Sequence, residues 1–327
     1  MKIMVTGGAG YIGSILTEML LNQGHDVVVL DNLSKGHRAA VMSEAEFIEV
    51  DLNDKNALSN LFNNHSIDIV MHLAANKAVE QSMVKPGQFF WNNVVCGLNL
   101  LECMVENGVK YLVFSSSAAV YGQPKRLPIT EDAYPEPVNA YGESKLMFER
   151  ILRWYSKAHD INYTSLRYFN VAGSSKRLGS DCRPETNLIP IIINVALGKQ
   201  KSLFVFGNDY DTKDGTCIRD YIHVLDIAHA HILALNNLVA GDKGGIYNLG
   251  SGEGYSVLNI IETAREITGT AIPIEFRPRR PGDPPKLVAG SYLARKNLGW
   301  EPNYPRIESI IESAWLWQKE NPNGYNA

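Results

Sequence analysis

Short apolar runs alternate with longer amphipathic segments through the first half of the chain. The runs have the length of β-strands and are rich in β-branched residues; they span residues 2–7, 26–31, 46–52, 68–75, 110–117 and 163–171. Segments of helical length, such as 13–24 and 93–108, lie between most of them. This alternation predicts βαβ units with right-handed crossovers, and therefore a parallel sheet covered by helices on both faces.

The pattern becomes less regular after about residue 175. Loops rich in Pro and Gly separate helical patterns at 188–198, 224–240 and 256–268. We therefore predict an α/β fold: a Rossmann-type doubly wound parallel sheet and a smaller, mixed α/β C-terminal domain. The 327 residues are enough for about two domains of roughly 100 to 200 residues each. We assign 1–175 to the sheet domain, with a segment around 215–240 packing back onto it, and 176–327 to a substrate domain.

Glycines follow the first predicted strand. Gly7, Gly10 and Gly13 form G-x-x-G-x-x-G, and Gly8, Gly10 and Gly13 also satisfy G-x-G-x-x-G. Glycine at a strand-to-helix turn permits a tight turn and lets N–H groups at the helix N-terminus approach a pyrophosphate. The spacing predicts a dinucleotide site.

Asp31 ends the second predicted strand, at the distance where an acid hydrogen-bonds the adenosine ribose. A carboxylate there repels a 2'-phosphate, so NAD is favoured over NADP. The basic residues Lys35, His37 and Arg38 just downstream argue the other way, since they are able to bind a phosphate. Asp51, after the third strand, has two interpretations: a partner for the adenine amine or a helix N-cap.

"YGESK" places Tyr141 four residues before Lys145, on one face of a predicted helix. "FSSSAAVYG" ends a strand upstream, so Ser117 is expected near the same ligand, beyond the carboxyl end of the sheet. A free phenol with a pKa near 10 is a poor base at neutral pH. A neighbouring ammonium favours the phenolate, so we expect Lys145 to lower the pKa of Tyr141 and make it an acid/base.

Composition excludes several classes of protein. A formal net charge of -4 gives no basic surplus for nucleic acid or an anionic membrane. The four cysteines form no C-x-x-C pair, and the histidines have no matching acid or cysteine spacing, so no disulfide framework and no metal site are predicted. The N-terminus is unlike a signal peptide, and no apolar stretch reaches membrane-spanning length. We expect a cytoplasmic protein.

Eight motifs together carry a resemblance. They read "TGGAGYIG", "DNLS", "HLAANKAVEQS", "SSSAAVYG", "YGESK", "LRYFNVAG", "FGNDYDTKDGTCIRDYIHV" and "RRPGDPP". In these motifs the chain resembles the UDP-glucose 4-epimerase family, also called UDP-galactose 4-epimerase, among the extended short-chain dehydrogenase/reductases. The similarity runs from residue 2 to about 325. It implies a reaction in which tightly held NAD oxidises C4 of a UDP-hexose, the keto sugar rotates, and the hydride returns to the opposite face.

The resemblance also implies roles for particular residues. Tyr141 is the expected acid/base, Lys145 tunes it and binds the nicotinamide ribose, and Ser117 assists at the 4-hydroxyl. Cofactor contacts are expected at Gly7, Gly10, Tyr11, Ile12, Gly13, Asp31, Asn32, Asp51, Leu52, Lys77, Asn92, Tyr141, Lys145 and Tyr168. Substrate contacts are expected at Ser117, Asn170, Asn187, Leu188, Phe206, Arg219, Arg280, Asp283 and Leu287. On this basis 1–175 is the NAD-binding domain and 176–327 the UDP-sugar-binding domain.

The identity of the sugar stays open at this point. Dehydratases of the same fold usually carry an acid in the segment that here reads Ser117, Ala118 and Ala119, so simple epimerisation is favoured. Leu287 matches a position that lines the hexose pocket and is intermediate in bulk. UDP-glucose and UDP-galactose are the main expectation, with N-acetylated hexoses, pentoses and uronates as alternatives. A net NAD-dependent dehydrogenase and a catalytically silent NAD-binding scaffold are two further alternatives.

The resemblance finally suggests a homodimer. Helices around 93–108 and 141–157 would pair with their copies in a partner chain as a four-helix bundle.

Overall fold

The computed structural model describes residues 1–280 and 283–325. The strands in this part of the chain are β1 (Lys2–Thr6), β2 (Asp26–Asp31), β3 (Glu46–Glu49), β4 (Ile69–His72), β5 (Tyr111–Ser117), β6 (Asn162–Tyr168), β7 (Asn170–Ala172), β8 (Leu203–Phe206), β9 (Ile218–Arg219), β10 (Tyr221–His223), β11 (Gly244–Leu249), β12 (Tyr255–Ser256), β13 (Ile274–Arg277) and β14 (Lys286–Leu287).

The helices in the same residues are α1 (Tyr11–Asn22), α2 (Lys55–Asn64), α3 (Val79–Val84), α4 (Pro86–Phe90), α5 (Cys96–Glu106), α6 (Ala140–His159), α7 (Leu188–Ala196), α8 (Val224–Val239), α9 (Val257–Thr268) and α10 (Ile307–Glu320). Short helical turns cover Arg38–Ala40, Trp91–Val95, Ala118–Tyr121 and Ala294–Leu298.

Seven parallel strands form the central sheet, in the order β11-β6-β5-β4-β1-β2-β3. The strands after β1 first extend the sheet on one side and then, from β4 onward, on the other. This reversal between β1 and β4 is the switch point at which α/β sheets bind ligands. The predicted Rossmann-type doubly wound sheet is confirmed.

Both faces of the sheet are buried. Ile3 and Val5 of β1 pack with Ile15 of α1 and Leu235 of α8 on one face. Met4, between them, points to the other face and packs in the cluster that holds Phe148 of α6. Because successive side chains alternate across a strand, both sets are apolar and the strands read as continuous hydrophobic runs.

The second half of the chain adds three small sheets, with strand orders β10-β7, β12-β9-β14 and β13-β8. Helices α7, α9 and α10 bury a shared apolar cluster that includes Ile192, Ile260 and Ile310. The prediction of one strand over 163–171 was wrong: β6 ends at Tyr168 and β7 starts at Asn170 in a different sheet. Between them the Phe169 N–H donates to the Leu249 carbonyl at 3.1 Å, which holds the chain where it changes sheets.

Later segments also join the central sheet. Helix α8 packs against α1, and β11 pairs in parallel with β6 as the edge strand. The sheet therefore takes a strand from beyond residue 175, and the division into 1–175 and 176–327 stays a prediction. Among the described residues, no helix combines the length and apolar character needed to cross a membrane.

Candidate active site

The glycine turn lies at the carboxyl end of β1, beside the switch point. Gly7 has a φ of +71°, and a β-carbon there would lie 2.7 Å from the Ala74 nitrogen in the loop after β4. A β-carbon at Gly13 would lie 2.2 Å from the Gly7 carbonyl oxygen. Only glycine lets the turn, the neighbouring loop and the start of α1 approach this closely.

Helix α1 begins at Tyr11, and its N-cap residue is Gly10. Gly10 has no side chain to cap the helix, and the first turn of α1, which lies within the described residues, contains no acidic residue. The N–H groups at this terminus and the positive end of the helix dipole thus suit a pyrophosphate. Tyr11 turns toward the second half of the chain and donates to the Gly173 carbonyl at 2.6 Å. Ile12 follows it in the first turn.

Asp31 is fixed at the end of β2 by two backbone donors. Its carboxylate accepts from the Ala9 N–H at 3.1 Å and from the Leu33 N–H at 2.9 Å. Burial raises the pKa of Asp31, and these two hydrogen bonds oppose the rise. The bond to Ala9 ties the carboxylate to the glycine turn itself, where a dinucleotide ribose would lie.

Replacing Asp31 with alanine is expected to reduce the preference for NAD over NADP by about 10- to 100-fold, since a hydrogen bond to a charged group contributes about 1.5 to 3 kcal/mol and repulsion of a 2'-phosphate is also lost. Dissociation constants for both cofactors on the apo protein measure this. Asp26→Ala is the matched control, because Asp26 starts the same strand at its opposite end and pairs with Lys2. An unchanged preference in Asp31→Ala would reject the role of this carboxylate.

Asp51 lies beside Asn32, whose side-chain amide donates to it at 2.7 Å. The alternative that Asp51 caps the next helix was wrong, because α2 starts at Lys55 and its N-cap is Asp54, which accepts from the Ala57 N–H. Leu52 is 9 % exposed and packs in the core beneath this edge. Asn32 and Asp51 therefore lie together beyond the carboxyl ends of β2 and β3.

Tyr141 and Lys145 lie in the first turns of α6. This helix is capped by Asn139, whose side chain accepts from the Gly142 N–H at 2.8 Å. Lys145 donates to the Ser115 carbonyl at 2.8 Å, and its ammonium lies 6.0 Å from the centre of the Tyr141 ring. Ser117 ends β5, and its hydroxyl accepts from the Ala119 N–H, which leaves its own proton to donate.

The expected electrostatic effect of Lys145 differs from what the structure shows. Burial raises the pKa of Tyr141, and a hydrogen bond with Ser117 and the charge of Lys77 oppose this. Burial also lowers the pKa of Lys145 to about 7, partly offset by Glu149. The expected lowering of the Tyr141 pKa by Lys145 differs from this result, because the buried site penalises both charged forms and Lys145 donates to the Ser115 carbonyl.

The loop after β4 brings Lys77 close to these groups. Burial lowers the pKa of Lys77, but its interactions with Cys182 and Glu185 outweigh this effect and raise the pKa overall. The backbone N–H of Asn76, next to it, donates to Asn92 at 2.9 Å. Burial raises the pKa of Tyr168, at the end of β6, and a hydrogen bond with Ser115 opposes the rise. Lys77 and Tyr168 therefore lie near Tyr141, and Asn92 contacts the loop that carries Lys77.

The small sheet β12-β9-β14 gathers several substrate candidates. Arg219 of β9 is opposite Leu287 of β14, and its guanidinium pairs with Asp283. Asp220, next to Arg219, accepts a hydrogen bond from the Asn170 N–H through its carbonyl at 3.1 Å. These residues come from distant parts of the chain and form one cluster.

Arg280 adds a second cation, stacked 4.1 Å from the centre of the Phe206 ring and 3.2 Å from Glu80 of α3. Asn187 precedes Leu188 at the start of α7 and shares a small cavity with Tyr11. Two residues of the predicted "RRPGDPP" motif, 281 and 282, lie outside the described residues, as do 326 and 327 of the predicted substrate domain.

Sequence reasoning missed the segment 179–185 and Tyr325. Cys182 lies 3.4 Å from the Lys77 ammonium, and Tyr325 donates its N–H to Asp181 at 3.1 Å. The prolines and glycines within 176–190 predicted only a loop there. Tyr325 is a single aromatic residue and belongs to no periodic pattern that would predict its contacts. These contacts depend on the tertiary fold.

A glycine turn at the switch point and a Ser–Tyr–Lys arrangement at the same sheet edge define a dinucleotide-dependent α/β protein of the short-chain dehydrogenase/reductase type. A sequence profile of the NAD-dependent epimerase/dehydratase family matches residues 3–250. The chain belongs to this family.

The chain is 49% identical over 328 residues to a UDP-glucose 4-epimerase of Halalkalibacterium halodurans, covering 100% of this chain and 98% of that protein. A crystal structure of a UDP-glucose 4-epimerase superposes with a TM-score of 0.98 at 48% identity and full coverage of both chains. A UDP-glucose 4-epimerase of Bifidobacterium longum, crystallised with NAD+ and UDP, superposes with a TM-score of 0.93 at 39% identity, covering 99% of this chain and 100% of that one. The resemblance inferred from the motifs is confirmed.

Proposed function

We propose that the protein is an NAD-dependent isomerase that interconverts UDP-glucose and UDP-galactose at C4. The observation that carries the proposal is the grouping of Tyr141, Lys145 and Ser117 at the sheet edge that also holds the glycine turn, with the Lys145 ammonium 6.0 Å from the centre of the Tyr141 ring. The full-length similarity to proteins named UDP-glucose 4-epimerase supports it.

Tyr141 moves the proton of the sugar 4-hydroxyl. It lies in the first turn of α6, where the positive end of the helix dipole favours a developing phenolate. Lys77 adds a positive charge nearby, and the Ser117 hydroxyl would donate to the oxygen that reacts. Burial of the phenol excludes water, so each of these interactions acts through a low dielectric.

NAD, when bound, supplies the chemistry of accepting and returning the hydrogen on C4. The residues present fit it: the uncapped start of α1 and the glycine turn suit the pyrophosphate, and Asp31 suits the adenosine ribose. Asn32, Asp51, Lys77, Asn92 and Tyr168 are the further residues that would hold it.

Arg219 and Arg280 would bind the diphosphate of the substrate, and Asp283 the uridine ribose. Two guanidiniums offer paired donors that match phosphate oxygens. Asn170, Asn187, Leu188 and Phe206 would complete this part of the site. In the structure Arg219 and Asp283 pair with each other, which keeps both side chains oriented before a ligand arrives.

The direct test is NMR of UDP-galactose incubated with purified protein, first without added cofactor and then with NAD. Appearance of UDP-glucose, without steady accumulation of NADH at 340 nm, is the expected result. Net NADH production would instead favour a dehydrogenase. No conversion even with NAD would overturn the hexose assignment and favour pentose or uronate nucleotides, or a silent scaffold.

Leu287 motivates one alternative substrate. It is partly buried opposite Arg219 and smaller than an aromatic residue, so UDP-GlcNAc and UDP-GalNAc remain a second candidate pair. A parallel incubation with UDP-GalNAc distinguishes the two. A difference of one or two methylene groups is worth about 1 to 3 kcal/mol, or about 10- to 200-fold in specificity.

We also propose a cytoplasmic homodimer, in which α5 and α6 pair with their copies. Trp154 of α6 is 68 % exposed, although a large aromatic residue is usually buried in a fold or at an interface.

Light scattering is expected to give twice the 36.3 kDa mass of the chain. Trp154→Glu is expected to shift the mass toward the monomer, because it buries an unpaired charge in the contact. Tyr134→Glu, at an exposed aromatic residue outside both helices, is the control. A wild-type monomer at working concentration would reject the dimer.

A further inference from the structure

Two consecutive residues, Asp181 and Cys182, contact the loops on either side of the glycine turn. His37 donates from Nε2 to the Asp181 carbonyl at 2.7 Å, and the Lys77 ammonium lies 3.4 Å from Cys182 Sγ. His37 belongs to the loop after β2 and Lys77 to the loop after β4, and these strands flank β1 in the sheet. The side chains of His37 and Lys77 therefore reach from opposite sides of the turn to two adjacent residues, Asp181 and Cys182. The Cα atoms of adjacent residues are about 3.8 Å apart, so both contacts hold the same short stretch of backbone.

This covering segment, residues 179–182, is connected to the turn by a continuous series of hydrogen bonds. The His37 N–H donates to the Ala9 carbonyl at 2.9 Å, and the Ala9 N–H donates to Asp31 at 3.1 Å. Ala9 is a residue of the glycine turn itself. The position of the covering segment is thus set relative to the two groups that would contact a dinucleotide.

The end of the chain holds the outer side of the covering segment. Tyr325 donates its N–H to Asp181 Oδ2 at 3.1 Å. Its hydroxyl accepts from the Gly179 N–H at 3.0 Å and donates to the Gly179 carbonyl at 3.1 Å. Its ring lies 5.3 Å from the ring of His37 and 5.3 Å from that of Trp317 in α10.

We propose that Tyr325 and Asp181 form a clasp that retains the dinucleotide in its groove. The proposal rests on the proposed function, in which NAD occupies the glycine turn. The covering segment contacts the loops on both sides of the turn, so we infer that a cofactor bound between these loops leaves only when the segment moves. That movement breaks the contacts of Tyr325. Tyr325 and Asp181 are positioning residues for cofactor retention and do not take part in the chemistry at C4.

The test measures release of NAD from loaded full-length protein. Tyr325→Phe removes the two hydroxyl bonds and keeps the ring, while Tyr325→Ala removes both. Each loaded variant is diluted into buffer with a scavenging enzyme, and the NAD still bound is quantified by chromatography after denaturation. We expect release about five- to thirtyfold faster in Tyr325→Phe, as for the loss of one or two hydrogen bonds of typical net strength. Tyr325→Ala is expected to release NAD faster still.

Tyr292→Ala is the matched control, because Tyr292 is a 65 % exposed tyrosine whose ring lies near Lys296. Its release rate should equal that of the wild type. The turnover number at saturating NAD and the KM for UDP-galactose should be unchanged in both Tyr325 variants, whereas a merely structural role would lower the melting temperature of the apo protein without changing NAD release.

Wild-type release rates in Tyr325→Phe and in a folded Tyr325→Ala would overturn the clasp. Failure of the wild type to bind any NAD would instead reject the proposed function. If Tyr325→Ala does not fold, Tyr325→Phe decides alone, because it retains both ring contacts.

Discussion

Tyr141→Phe is expected to lower the rate of UDP-galactose conversion by about 10²- to 10⁴-fold, the range that removal of a positioned acid/base gives. The ring and its packing remain, so the loss isolates the hydroxyl that moves the proton. The role is proposed because Tyr141 lies in the first turn of α6, with the Lys145 ammonium 6.0 Å from its ring centre and Ser117 at the end of β5. The measurement is turnover by NMR at saturating substrate, with bound NAD quantified in the same sample.

Tyr155→Phe is the control, since Tyr155 lies on the same helix and its hydroxyl bonds to Glu102, away from the sheet edge. Its turnover should match the wild type. If Tyr141→Phe binds NAD normally and keeps full turnover, the proton is moved by another group. If it restores a cell that lacks this protein as well as the wild type does, the scaffold interpretation is favoured.

Glu149→Ala is expected to destabilise the folded protein by about 3 to 5 kcal/mol, because it leaves a buried guanidinium without its partner. Arg167 is 4 % exposed and binds Glu149 through two nitrogens, at 2.9 and 2.5 Å. Glu149 also accepts from Ser116 at 2.6 Å, and Arg167 donates to Tyr121 at 2.8 Å. Urea titration of the apo protein measures the change in the free energy of unfolding.

Two further variants make this result specific. Glu262→Ala breaks an exposed pair with Arg265 and should cost less than about 1 kcal/mol. The double variant Glu149→Leu, Arg167→Met should recover much of the lost stability, because apolar replacement of both partners removes the unpaired charge. If Glu149→Ala changes stability no more than Glu262→Ala does, the buried pair does not hold α6 to the sheet.

The hydrogen bonds of Glu149 and Arg167 also fix the position of the catalytic candidates relative to each other. Glu149 is four residues after Lys145 on α6, and Ser116 immediately precedes Ser117 on β5. The Ser116–Glu149 hydrogen bond therefore holds the helix that carries Tyr141 against the strand that carries Ser117, and the ion pair with Arg167 of β6 fixes the Glu149 carboxylate. A loss of turnover in Glu149→Ala that exceeds the unfolded fraction would be the functional result of this coupling.

Much of the fold could be predicted from local patterns. The glycine turn, Asp31 at the end of β2, and Tyr141 above Lys145 on α6 each depend on spacing within one or two elements, and a strand or helix fixes such spacing. For this reason the positions of these residues follow from the sequence. The contacts expected of them with NAD and UDP-sugar stay predictions.

The rest depends on contacts between distant segments. The sequence of β11 contains two glycines and little alternation of apolar and polar residues, so local patterns do not predict a strand there. It becomes the edge strand because it pairs with β6. Tyr325 contacts Gly179 and Asp181 only once α10, which precedes it in the chain, has packed against α7 and α9. Similarly, the raised pKa of Tyr141 comes first from burial, which no short motif shows.

The late position of β11 in the chain has a consequence during synthesis. Until Gly244–Leu249 leave the ribosome, β6 presents an unpaired row of N–H and C=O groups to other nascent chains. Asn248 of β11 accepts from the Tyr121 hydroxyl, so the polar network around Arg167 also stays incomplete until then. A chain released early, for example at residue 175, would therefore have an open edge at β6. The network around Arg167 would also lack Asn248. Such a chain is expected to aggregate.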